Sequence, residues 1–492
     1  MSQACRPLAA LAALASLCAA PCLAGAASPS LEALRARAER PAAPPGEGRA
    51  AILGVGAGNL LFSMSGPDNC PIVRSLPDLT GDGRDEVLVG IDESGTDNIF
   101  VLDGASSGTA TVVWSLETAD GVSGGSPYGD QCLVVVSDGD GNGYPEILAG
   151  TAWGGRTAYR LDGLAGAQLW RFDTYLTPDS GWVYSLAELN DMSGDGKPEA
   201  AFGAGSFNDS LYVVDGASTG QATVRWQYQA ADAVVSVRNL GDVNGDGDGD
   251  VLAAIGDDGH AVVCLDGGTS SPTGSVLWQY PTGAPTAFAV GVLPDVTGDG
   301  IAEALAVLWT IDGSAIRALN GATGALVWAS TQVAEYGMMV EVLEDVTGDG
   351  LAEVIVSSWE NAVIVLDGAT GAQVWKTTVG TTNGGDVWTA RAIADLDGDG
   401  NQEVIAGSFD YHVYALDGTT GGVLWAYDTG NRVFSVHPVG DLDGDGRPEV
   451  AAGTQDTNSS VVVYVLEGDA GLPLFADGFE SGDTSAWSAT VP

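Results

Sequence analysis

Apolar residues in this chain fall in short runs cut off by Gly, Asp, Asn or Ser, and no run sustains a helical period. Some runs alternate, as in WVYSLAELND from Trp182 to Asp191, the pattern of a strand with one dry and one wet face. Others, such as EVIVSS from Glu353 and AVIVLDG from Ala362, are continuously apolar, as expected of strands covered on both sides. A fourth kind ends in Leu-Val-Trp or Val-Leu-Trp. The four kinds recur in the same order along the chain, so each unit predicts four short antiparallel strands.

Two phrases keep time with the strands. One is an acidic loop written DLTGDGRDE, DGDGNGYPE, DMSGDGKPE, DVNGDGDGD, DVTGDGIAE, DVTGDGLAE, DLDGDGNQE and DLDGDGRPE. Its first residues are Asp78, Asp138, Asp191, Asp242, Asp295, Asp345, Asp395 and Asp441, separated by 60, 53, 51, 53, 50, 50 and 46 residues. The other phrase runs from VLDGASSG through VLDGATG to VLEGDAG, and in seven units a tryptophan follows it: Trp114, Trp170, Trp226, Trp278, Trp328, Trp375 and Trp425. A period near 50 residues with four strands per unit predicts an all-β fold, an eight-bladed β-propeller, with seven blades as the alternative. The segment Gly58 to Ser65 has no acidic loop before it and carries Phe62 where other units carry Trp, so it can close the ring as a fourth strand. GLPLF, from Gly471 to Phe475, is the competing closer.

Outside the repeats, residues 1–26 combine Arg6, a short Ala/Leu run and small residues near Ala24 and Ala26, a secretory signal pattern too short to span a bilayer. Cys18 and Cys22 raise a lipoprotein alternative, although neither sits in a good lipobox. Residues 27–50 read as a linker, 51–475 as the propeller and 476–492 as a sorting or processing tail. The expected destination is extracellular or periplasmic. There Cys70 and Cys132, at near-equivalent places in adjacent repeats, are candidates for a disulfide, while Cys264 reads as a buried strand residue. With 65 Asp and Glu against 18 Lys and Arg, the net charge of −47 excludes nucleic acid and anionic membrane as partners. No later stretch is long and apolar enough to cross a bilayer, and a monomer is expected.

So acidic a chain needs counterions, and the loops supply sites for them. Position 1 is Asp in every copy, and position 3 is Thr80, Asp140, Ser193, Asn244, Thr297, Thr347, Asp397 or Asp443. Position 5 is Asp82, Asn142, Asp195, Asp246, Asp299, Asp349, Asp399 or Asp445; position 9 is Glu86, Glu146, Glu199, Asp250, Glu303, Glu353, Glu403 or Glu449. Positions 4 and 6 are always Gly, which permits a tight curl turning oxygens 1, 3 and 5 inward. All-oxygen ligation suits Ca2+; zinc is disfavoured because no His or Cys falls in a loop. An EF-hand would need Glu at position 12, which is apolar here in all copies, from Val89 to Ala452. The plain alternative is a set of Asx-rich turns.

The loop followed by an apolar strand resembles the calcium loop of FG-GAP or VCBS-type repeats, the blades of integrin alpha-subunit propellers and of many secreted bacterial proteins. The resemblance covers about Asn59 to Phe475. It implies calcium held between the first and second strands of each blade, with Asn142 and Asp250 weakening but not abolishing their sites. The phrase ending in Trp is also similar to the tryptophan docking motif of pyrroloquinoline-quinone dehydrogenases, which implies a quinone. No Cys-Cys pair accompanies it, and blade-to-blade stapling is the competing role. Some calcium-dependent polysaccharide lyases are similar in loop pattern and blade number. Yet His260, His412 and His437 fall on strand segments of different units with no shared motif. Trp153, Phe207, Trp309, Trp359 and Phe409 recur after the second strand, either as a binding ring on one face or as packing. The resulting expectation is a secreted calcium-binding propeller acting as a non-catalytic binding or adhesion scaffold for a protein or glycan; an enzyme on the same fold is the alternative.

Overall fold

The computed structural model describes residues 56–468 except 58, 67–71, 93–94, 119–120, 123–130, 152–155, 175–180, 206–207, 257–258, 284, 311–312, 381–384 and 456–459. The leader, linker, GLPLF segment, tail, Cys70, Trp153 and Phe207 lie outside the described residues.

Eight sheets surround one axis, which decides the blade number in favour of eight. Blade 1 is made of Ile72–Leu76, Glu86–Gly90, Ile99–Leu102 and Val112–Leu116, each antiparallel to the one before. Blades 2 to 7 repeat that order, and blade 8 has Arg432–Val439, Glu449–Gln455 and Val461–Leu466. Its fourth strand is Leu60–Ser65, from the other end of the chain, antiparallel to Val461–Leu466. The N-terminal segment is therefore the clasp. First strands touch one another from blade to blade all the way round, so they line the axis.

Burial explains the two hydrophobic patterns. Second strands such as Glu86–Gly90 and Glu353–Ser358 are buried at every residue, sandwiched between neighbouring blades. Fourth strands, at the rim, alternate; Gln373–Thr378 buries Trp375 while Gln373 and Lys376 face water. These strands do not stop at the tryptophan, as the pattern predicted, but run two or three residues beyond it, because those residues pair with the third strand.

Tryptophan joins the blades. Nε1–H of Trp114, Trp226, Trp278, Trp328, Trp375 and Trp425 donates to the carbonyl of Gly163, Gly267, Gly321, Gly368, Gly418 and Gly468 in the next blade, at 2.5–3.0 Å. The acceptor is always the glycine of the second phrase. A Cβ at Gly368 would stand 1.9 Å from the carbonyl oxygen of Ala352, so only glycine lets this turn lie against the acidic loop of its own blade. Stapling is thus the observed role of these six indoles.

Candidate metal centres

Every acidic loop connects a first strand to a second. The position-9 acid opens the second strand in seven blades, while Glu199 immediately precedes Ala200–Ala204. All 16 loop glycines have positive φ, from 76° to 98°, as the curl requires. No atom lies within 4 Å of where a Cβ on Gly300 would stand. Gly300→Ala therefore costs conformational energy alone, about 1–2 kcal/mol for a residue forced into the left-handed region, measurable as a lowered denaturation midpoint. An unchanged midpoint would mean that the loop does not need its curl.

Backbone donors hold each acid in place. Position 1 accepts the N–H of position 4 on Oδ1 at 2.6–2.7 Å and that of position 6 on Oδ2 at 2.7–2.9 Å in all eight loops. The position-6 donor is the main reason Asp78, Asp138, Asp191, Asp242, Asp295 and Asp345 sit below the usual carboxylate range. Position 5 accepts the N–H of position 7 at 2.8–2.9 Å throughout. Position 9 accepts the N–H of position 2 in seven loops, from Leu79 to Leu442. These acids are the buried ones. Desolvation pushes Glu86 up to about 7, Asp250 to about 6, and Glu403 and Glu449 to about 8.

Five loops bring three or four carboxylates within 4.8 Å of one another: Asp138, Asp140 and Glu146; Asp295, Asp299 and Glu303; Asp345, Asp349 and Glu353; Asp395, Asp397, Asp399 and Glu403; Asp441, Asp443, Asp445 and Glu449. The carboxylates of blades 1, 3 and 4 are not gathered so closely. Unneutralised, such groups repel, and turn hydrogen bonds alone leave that repulsion standing. Glu303 is fully buried and its Oε1 has no hydrogen-bond partner, an orphan acceptor beside Asp295 and Asp299. A hard divalent cation suits this donor set, which is all oxygen.

Two features of the sites escaped the sequence reading. The acid or amide of the second phrase reaches position 5: Asn142 donates to Asp162 at 2.9 Å, and Asn320 donates to Asp299 at 2.6 Å. The in-step spacing of the two phrases was the available signal. The other feature is Arg160, 1% exposed, whose Nε bonds Glu146 and whose Nη1 donates to the carbonyl of Pro198 at 2.8 Å. In blade 2 the guanidinium occupies the place of the position-2 amide, and a Cβ on Gly139 would stand 2.5 Å from its Nη2. Gly at position 2, Asn at position 5 and Arg where other third strands carry Val, Cys or Ala thus form one coordinated change. Arg225 similarly donates to Glu199 at 2.9 Å in blade 3.

The histidines do not assemble. His260 lies in the turn before a third strand, at φ 40°, and not on the strand itself. His412 lies against Asp410, 3.5 Å from its Oδ2. Burial alone would depress the imidazole, but Asp410 raises it above its usual value. His437 belongs to a first strand, Arg432–Val439. Cys132 and Cys264 are both buried. Trp309 and Trp359 are 5% and 6% exposed and continue through Trp388 into Phe409 and Phe434 with ring centroids 4.6–6.1 Å apart. For these residues the packing alternative holds.

Comparison with known proteins gives one family match: residues 353–469 match the lambda-carrageenase beta-propeller domain. No curated protein matches the sequence significantly. Among solved structures, yeast Sqt1 (Saccharomyces cerevisiae) is 13% identical with a TM-score of 0.59, covering 84% of this chain and 99% of its own. The computationally designed Ika8 protein is 15% identical with a TM-score of 0.55, covering 83% and 100%. The C-terminal WD40 domain of Sif2 is 12% identical, TM-score 0.52, covering 84% and 97%. At these identities the likeness is one of fold.

Proposed function

We propose that this chain is an exported, calcium-loaded β-propeller that acts as a non-catalytic binding scaffold for a protein or glycan. The observation that carries it is one glycine-curled acid turn built eight times, five copies of which gather three or four carboxylates, with buried position-9 acids and an orphan oxygen on Glu303. The resemblance to FG-GAP and VCBS repeats supports the same reading. Bound calcium would be held by positions 1, 3, 5 and 9 and would neutralise the loops and tie each to the second strand of its blade. Its affinity falls on the order of 10⁻⁴ M, as in extracellular modules. In blade 2, Arg160 supplies part of the positive charge from within the chain.

The partial match to the propeller of lambda-carrageenase favours a glycan as the ligand. It is also the observation behind a second reading, an enzyme acting on a polysaccharide. The six stapling tryptophans support the scaffold over a quinoprotein, since inter-blade bonding accounts for them.

The test strips the protein of metal, adds calcium back and counts bound ions by native mass spectrometry while following the unfolding midpoint. Five or more ions with a rising midpoint are expected. Fewer than five, or an unmoved midpoint, would overturn the loops as calcium sites. Incubating the loaded protein with carrageenan and pectin should give retention without chain shortening, and depolymerisation would replace the scaffold with the enzyme.

A further inference from the structure

We propose, resting on the calcium reading of the other loops, that Arg160 and Asn142 exclude calcium from the acidic loop of blade 2 and replace it with bonds from within the chain. This loop and its junction with blade 3 then hold without metal.

A calcium loop turns oxygens from positions 1, 3, 5 and 9 toward one point. In blade 2 the last two are spoiled. Oδ1 of Asn142 accepts the N–H of Tyr144 at 2.8 Å, the bond that position 5 makes in every copy. That bond fixes which way the amide faces, since the opposite orientation would set its NH2 against an N–H. Nδ2 therefore stands where the aspartate copies carry their second oxygen, and it donates to Oδ2 of Asp140 at 3.3 Å and to Oδ1 of Asp162 at 2.9 Å. A donor in that place offers a cation positive charge instead of a lone pair. Blade 5 has the reverse arrangement: the amide belongs to the second phrase, where Asn320 donates to Asp299 at 2.6 Å, and position 5 keeps its carboxylate. Position 9 of blade 2 is answered by a buried cation, since Nε of Arg160 bonds Glu146. The affinity of an oxygen site follows its charged ligands. Of positions 1, 3, 5 and 9, blade 2 has two carboxylates not paired with a cation, and blade 7 has four.

Asp138, Asp140 and Glu146 lie close together because donors stand between them. The N–H of Asn142 reaches Asp140 at 2.9 Å and Asp138 at 3.2 Å, and the amide NH2 and the guanidinium supply the rest. The guanidinium also crosses to blade 3, where Nη1 donates to the carbonyl of Pro198 at 2.8 Å and Nη2 lies 3.5 Å from Oε1 of Glu188. Glu188 in turn accepts the hydroxyl of Ser137 at 2.8 Å and its N–H at 3.0 Å, and Ser137 is the residue just before the loop of blade 2. At this same junction the tryptophan staple is missing. Gly216 holds the place of the acceptor used at six other junctions, yet Nε1 of Trp170 has no hydrogen-bond partner. One arginine thus bonds both the loop, as metal would elsewhere, and the junction, as the indole does elsewhere.

Native mass spectrometry of the full chain across a calcium titration counts the ions. With eight loops less one, the wild type should take up no more than seven, and Asp140→Ala should take up as many as the wild type. Asp397→Ala, which removes the same loop position from blade 7, should lose one. Gly139→Val, Asn142→Asp and Arg160→Val combined, which give blade 2 the residues of an ordinary loop, should gain one. Eight ions on the wild type, or the loss of one with Asp140→Ala, overturns the proposal. Amide hydrogen exchange of the unaltered chain gives a second reading should the triple variant fail to fold. A site with a Kd on the order of 10⁻⁴ M slows exchange in its loop about tenfold in millimolar calcium. That slowing is expected at Gly398 and Gly400 and not at Gly141 and Gly143, and equal slowing in both loops overturns the proposal. A wild type that binds no calcium at any loop would remove the calcium reading itself, and this assignment with it.

Discussion

Stripped of metal, the protein loses stability as pH rises from 5 to 8, and in millimolar calcium it gains stability over the same interval. The sign follows from the position-9 acids. Burial raises all eight above their ordinary values, Glu86 to about 7 and Glu403 and Glu449 to about 8. Between the unfolded carboxylate value and these raised values the folded chain binds more protons than the unfolded one. Folding is therefore opposed progressively as pH climbs through that window. The position-1 acids, shifted downward, contribute stability that is lost only at lower pH, so they leave the sign intact. Calcium reverses it, because cation and proton compete for the same oxygens and affinity rises as the proton leaves. With a Kd on the order of 10⁻⁴ M, millimolar calcium adds about 1.4 kcal/mol per site. Five such sites add about 7 kcal/mol, comparable with the whole stability of an ordinary domain, about 5–15 kcal/mol, so near pH 8 the stripped protein should unfold at a far lower temperature than the loaded one. Thermal unfolding at pH 5.5, 7 and 8.5, with and without calcium, checks this; the same pH trend in both series would rule out the position-9 acids as ligands.

Replacing Trp425 by alanine costs about 3–5 kcal/mol, the range for removing a buried large aromatic. The side chain is fully buried and bonds Gly468 across the junction between blades 7 and 8. Trp425→Phe, keeping most of the ring but losing the donor, costs about 1 kcal/mol. Trp170 provides the contrast: also fully buried, its Nε1 has no hydrogen-bond partner. Trp170→Phe removes an unsatisfied donor and should be neutral or slightly stabilising. Denaturant midpoints of these three variants decide the matter. Equal losses for the two Phe substitutions would show that the indole donors contribute nothing.

Strand order, blade number and the clasp were legible because each is local, carried by burial periodicity and by phrases that repeat in step. Phe62 in place of tryptophan pointed to Gly58–Ser65 as a candidate closing strand, with GLPLF as its competitor, and the pairing with Val461–Leu466 buries Phe62 fully. What remained hidden depends on contacts between segments. Asp162 meets Asn142 only once the third strand folds back beside the second, and Arg160 looked like an ordinary strand residue until Gly139 made room for it. Arg74, Arg238 and Arg391, on first strands near the axis, were harder still. They sit on five different units together with Glu341 and His437, and nothing short of the closed ring brings them into one cavity.

The clasp also determines how the molecule bears load. Leu60 pairs with Leu466 and Ser65 with Val461, so the two chain ends leave blade 8 from the same edge of that strand pair. Tension applied through the termini peels the pair apart one hydrogen bond at a time, whereas heat must disrupt the whole sheet together. Load at the termini is therefore concentrated on this strand pair, which heat does not single out. Once that seam opens, the exposed edge of Val461–Leu466 is where a second chain, or a chaperone, would add a strand.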